Sequence, residues 1–101
     1  HYHLAIAAPE DRSISEIVRS INGFFARLYN LIEWKFGPVF RHRCYDRAIR
    51  DEGEYRRIAK YIHNNPVKKG LVKNPEDYYW SSARARLSGN PAPIEIDDLP
   101  C

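Results

Sequence analysis

The chain has 101 residues, 44% hydrophobic and 29% charged, which gives one domain with a modest core and excludes a disordered polyelectrolyte. No apolar run approaches the roughly 18 residues that span a bilayer, and no signal-peptide pattern opens the chain. Cys44 and Cys101 are too few for a disulfide framework, so a reduced, cytoplasmic setting is expected.

The net charge of +3 hides an asymmetry. All 16 basic residues lie before residue 91, whereas Glu95, Asp97 and Asp98 sit in the tail after Asn90. A basic body with a short acidic tail points toward a polyanionic partner. The chain contains no methionine and opens inside what reads as a strand, so it reads as a piece of a longer protein or a trimmed chain.

Residues 1–8 read as a mostly buried strand. Side chains alternate with period two, so His1 and His3 share one face while Tyr2 and Leu4 point toward a core. Two imidazoles on one face can hold a divalent metal and leave its other positions open; surface histidines give the same pattern. After the turn at Pro9–Arg12, Ser13 with Glu16 forms a capping box and starts a helix. Ile14, Ile17, Val18, Ile21, Phe24, Phe25, Leu28, Tyr29 and Ile32 make its apolar stripe. Gly23 inside that helix suggests close packing against a neighbour.

Gly37-Pro38 breaks the helix, and Val39–Ile49 reads as a second strand. One of its faces interleaves Arg41, Arg43 and Arg47 with Tyr45, which suits either a surface that tracks a nucleic-acid backbone or an ordinary solvated face. A second helix runs from about Asp51 to His63, with Tyr55, Ile58, Ala59 and Ile62 inward. Pro66 should end it and push Asn65 out of helical geometry. Turns at Gly70 and Asn74–Asp77 follow, then the aromatic cluster Tyr78-Tyr79-Trp80. Ser81 or Ser82 should cap a short helix through Leu87. Residues 1–87 thus form the domain, and 88–101 an extended or disordered acidic tail.

On the second helix Arg57, Tyr61 and, less regularly, Asn65 recur every four residues beside the buried stripe. A neutral phenol is a weak nucleophile, and a neighbouring cation or metal strengthens it by favouring the phenolate. Asn65 offers a carbonyl oxygen suited to a hard cation. Equally, Tyr61 can pack at the core edge and Asn65 can serve the turn before Pro66.

The chain resembles the REP-associated tyrosine transposases, a branch of the HUH single-strand transposase family. The resemblance rests on His1-Tyr2-His3-Leu4, on Phe24-Phe25-Ala26-Arg27-Leu28-Tyr29-Asn30, and on Phe40-Arg41-His42-Arg43-Cys44-Tyr45-Asp46-Arg47. It continues through Tyr61-Ile62-His63-Asn64-Asn65-Pro66-Val67-Lys68-Lys69-Gly70-Leu71-Val72 and ends on Tyr79-Trp80-Ser81-Ser82. It covers residues 1 to about 87.

The resemblance implies an α+β, ferredoxin-like split βαβ sandwich of HUH type. It also implies metal-dependent cleavage and rejoining of single-stranded hairpin DNA through a covalent 5′-phosphotyrosine. His1, His3 and Asn65 would hold Mg²⁺ or Mn²⁺, and Tyr61 would be the nucleophile. By charge and position, Arg41, Arg43, Arg47 and Arg57 could guide the DNA backbone, with Lys60, Lys68 and Lys69 outside them.

The family's first strand, helix and second strand are missing before His1. That absence would leave a sheet edge open to a homodimer or strand-swapped oligomer. A hairpin-binding protein of the same fold that does not cleave, and an assembly module, are the alternative functions.

Overall fold

The structure is a computed structural model that describes residues 2–40 and 47–96. It is helical: α1 (Ile14–Glu33), α2 (Glu52–Lys68), a 3₁₀ turn (Pro75–Asp77) and α3 (Ala83–Ser88). Among the described residues no helix is long and apolar enough to cross a membrane. The chain divides into two compact units, one drawn from His1–Ala5 with Ile49–Cys101 and the other from Ile6–Ala48.

The expected α+β sandwich is absent, because no strand occurs among the described residues. A helix satisfies its own backbone, but a strand exists only where a second segment completes its ladder. Residues 2–8 enter no ladder, and the turn after them is closed by the Arg12 N–H donating to the Pro9 carbonyl at 3.2 Å. Tyr2 and Leu4, expected inside, are 40% and 48% exposed. Of the second predicted strand, 39–40 and 47–49 are not strand, and 41–46 lie outside the described residues. The sheet edge from which strand swapping was expected is therefore missing among the described residues.

In the Ile6–Ala48 unit, α1 starts where its capping box predicts. Ser13 Oγ accepts the Glu16 N–H at 3.1 Å. Trp34 ends the helix in the left-handed region (φ 55°), and Asn30 Nδ2 donates to the Gly37 carbonyl at 2.9 Å. Phe25 stacks on Tyr29 and tilts against Phe40, with centroids 6.0 and 5.6 Å apart. Gly23 marks no close approach: a Cβ there would meet only the end of the Arg27 side chain, at 3.8 Å.

In the other unit, the 3₁₀ turn packs against both α2 and α3. Ala83 is fully buried, Pro66 and Glu54 are buried, and Tyr55, Ile58, Ala59 and Ile62 are half-buried as their spacing predicts. Pro66 does not end α2. Its missing N–H removes one bond, toward the Ile62 carbonyl, yet the helix continues to Lys68 and the Lys69 N–H still reaches the Asn65 carbonyl at 2.9 Å. The end comes at Gly70 (φ 77°), where the N–H groups of Gly70 and Leu71 donate to the carbonyls of Val67 and Pro66 at 3.0 and 2.9 Å, a Schellman closure.

Candidate nucleic-acid interface

The site is built on α2, whose register is fixed at both ends. At the start, Asp51 Oδ1 accepts the Glu54 N–H at 2.8 Å, and Glu54 Oε2 accepts the Arg50 N–H at 3.0 Å. At the other end the Gly70 closure stops the helix after Lys68. Because Pro66 lies within the helix, Asn65 is helical too, and Arg57, Tyr61 and Asn65 fall on one face at steps of four.

That face forms an open depression of about 290 Å³, lined by Arg57, Lys60, Tyr61, Asn64, Asn65 and Lys68. The lining comprises three cations, two amides and a phenol, with no carboxylate. Three clustered positive charges raise the local concentration of an anion, and the amides can donate or accept hydrogen bonds. Tyr61 is 54% exposed within this surface. The His3 ring meets the Tyr61 ring edge-on, with centroids 5.8 Å apart and planes at 81°.

Five of the sequence-predicted residues are thus brought together: Tyr61, Asn65, Arg57, Lys60 and Lys68, with His3 beside them. Lys69 caps the helix C-terminus and Arg47 is exposed; neither lines the depression. His1, Arg41 and Arg43 lie outside the described residues. Sequence reasoning missed Asn64, whose signal was a three-residue step from Tyr61, also a same-face spacing in a helix.

His63, two residues from Tyr61, belongs to a different environment. Its Nε2 lies 2.8 Å from Ser82 Oγ. Burial, aided by the charge of Arg86, holds its imidazole below the ordinary pKa. This bond also explains a detail of α3: Ser82 stands at the N-cap but makes no capping bond, while Ser81 Oγ accepts the Ala83 N–H at 3.2 Å.

Among the described residues, no group of three or more His, Cys, Asp or Glu side chains could hold a metal ion. The donors near Tyr61 are of another composition: the His3 imidazole against its ring and the Asn65 amide in the same lining. One imidazole nitrogen and one amide oxygen would suit a borderline cation such as Mn²⁺ better than Mg²⁺, which prefers an all-oxygen shell.

No protein-family model matches the chain, and no solved structure matches it. Among curated proteins, the REP-associated tyrosine transposase of Escherichia coli (strain K12) is 30% identical over 96 residues, covering 94% of this chain and 55% of the relative. The chain spans about half the length of the relative it matches. Identity at that level, along nearly the whole chain, supports a distant relationship to the REP-associated tyrosine transposases.

Proposed function

We propose that this chain carries the nucleophile and a phosphate-holding surface of a transposase-type enzyme that cuts and rejoins single-stranded hairpin DNA in the cytoplasm. The observation behind this reading is Tyr61: an exposed phenol in an acid-free basic depression, with an imidazole at its ring edge. The distant similarity to a tyrosine transposase points the same way.

In this mechanism Arg57, Lys60 and Lys68 hold the phosphates flanking the scissile bond, and Asn64 and Asn65 orient them by hydrogen bonds. Tyr61 Oη bonds to phosphorus as the P–O3′ bond breaks. The phenolic proton passes to water, and the departing oxygen takes a proton to give a free 3′-hydroxyl. The 5′-phosphotyrosine keeps the phosphoester, so attack by a 3′-hydroxyl reforms the strand, and Tyr61 regains a proton without ATP. His1, His3 and Asn65 are the residues that would hold Mn²⁺ or Mg²⁺, which supplies Lewis-acid stabilisation at a phosphoryl oxygen when bound. Arg41, Arg43, Arg47 and Lys69 are assigned outer contacts to the DNA backbone.

The test mixes the protein with Mn²⁺ and an end-labelled single-stranded hairpin oligonucleotide, then separates covalent adducts under denaturing conditions. An adduct that disappears with EDTA and with Tyr61→Phe is expected. An undiminished adduct with Tyr61→Phe overturns the assignment. Hairpin binding that survives EDTA and Tyr61→Ala, with no adduct from the wild-type chain, identifies a binder that does not cleave.

A further inference from the structure

The segment Tyr78-Tyr79-Trp80 leads from the 3₁₀ turn into α3, and two of its three rings face solvent. Tyr79 is 49% exposed and Trp80 73% exposed. Their rings meet edge-on, with centroids 4.7 Å apart and planes at 84°, making a right-angled aromatic step. The Arg84 guanidinium lies over the Tyr79 ring, 5.7 Å from its centroid. Its Nε is shielded from solvent and meets no acceptor among the described residues, and its contact with the ring is of the cation–π kind.

The backbone around this step is pinned on both sides. The N–H groups of Tyr78 and Ser81 donate to the carbonyls of Pro75 and Tyr78, each at 3.3 Å. Ser82 is tied to His63 at 2.8 Å, and the adjoining Ala83 is fully buried. The exposed rings therefore project from a well-anchored turn. A pre-ordered aromatic face loses little conformational freedom when a flat ligand covers it.

Charge on the α3 side of the step favours an anionic ligand, while Glu76 and Asp77 stand on the side of the 3₁₀ turn, Asp77 accepting from the Asn74 amide at 3.2 Å. α3 carries Arg84 and Arg86 and no acidic residue, and the α2 depression in the same unit is lined by cations without a carboxylate. Aromatic faces beside arginines suit nucleobases strung on phosphates, because every base has a stacking face and every linkage a negative charge.

We propose that Tyr79, Trp80 and Arg84 form a stacking platform for an unpaired base of single-stranded DNA, with Arg84 and Arg86 serving the adjacent phosphates. The platform rests on the DNA reading given above and names where that substrate's unpaired bases dock. It is separate from Tyr61, which acts on a phosphate.

The chain has two tryptophans, so a Trp34→Phe background leaves Trp80 as the sole indole reporter. That protein is titrated with an oligo-dT strand and with an abasic strand of equal phosphate count. Oligo-dT should quench Trp80 and bind about tenfold more tightly than the abasic strand. Trp80→Ala, with its fold checked by circular dichroism, should bring the oligo-dT affinity down to the abasic level, and Trp80→Phe should keep part of the margin. Equal affinity for the two strands, or an oligo-dT affinity indifferent to Trp80→Ala, overturns the platform while leaving the Tyr61 adduct assay free to stand. Absence of binding to either strand overturns the platform and the DNA reading together. A concentration-dependent increase in mass that Trp80→Ala abolishes, without oligo-dT quenching, assigns the step to self-association instead.

Discussion

The imidazole of His63 and the hydroxyl of Ser82 meet at 2.8 Å, joining α2 to the residue that opens α3. Burial, and then the Arg86 charge, hold the folded imidazole below its ordinary pKa. The unfolded chain protonates near pH 6.5, the folded chain only at lower pH. Between those values the unfolded state binds more protons, so this contribution to stability is full above about pH 6.5 and falls as the pH drops toward the folded pKa. Urea midpoints should decline across that window, and His63→Asn should flatten the decline. An identical slope in the variant rules out His63 as its source.

Ser82→Ala removes the partner of a half-buried imidazole and should cost about 1 kcal/mol. Chemical denaturation at pH 7.5 measures it.

The basic lining of α2 should show itself in salt dependence. If Lys60 and Lys68 each meet a phosphate, replacing either by Gln lowers the slope of log K against log[salt] by about 0.7 for a single strand. Fluorescence anisotropy with a labelled oligonucleotide at several salt concentrations reads it directly. Lys73, which does not line the depression, serves as the control, and its Gln variant should leave the slope unaltered.

Two glycines should respond in opposite directions. Gly70 has φ 77° and nothing within 4 Å of an added Cβ, so Gly70→Ala pays only backbone strain, about 1 kcal/mol of destabilisation. Gly23 lies mid-helix with only the mobile end of Arg27 nearby, so Gly23→Ala should stabilise by about 0.5–1 kcal/mol. Thermal unfolding of both variants checks the pair of signs.

His3→Ala should raise the Mn²⁺ concentration that gives half-maximal adduct by at least about tenfold, because it removes the imidazole beside Tyr61. A metal titration of adduct yield decides this, and an unshifted midpoint removes His3 from the metal assignment.

The sequence was most legible where structure is local. Ser13 and Glu16 marked the start of α1, and the spacing of Tyr55, Ile58, Ala59 and Ile62 marked the inward face of α2. It misled where structure depends on a distant partner. The alternation in residues 1–8 suits a strand, but alternation supplies no ladder, and the described part of that segment enters none. Pro66 misled in another way: a proline in a final helical turn removes one hydrogen bond, and the turn closed around that loss. The same closure keeps Asn65 on the Tyr61 face, closer to the site than its position before a proline suggests. Asn64 stands three residues from Tyr61, a same-face step that lies outside the four-residue series of Arg57, Tyr61 and Asn65.

All six residues lining the depression come from about three turns of one helix, so their mutual spacing is set once α2 forms, an event of about a microsecond. His3 reaches Tyr61 only by closing a loop from residue 3 to residue 61, at the entropic cost such a long closure carries. The two halves of the site therefore keep separate timetables. On the proposed function, a chain whose first residues have come loose still holds a DNA strand along α2 and no longer cuts it. Grip is a local property here, and cutting a long-range one.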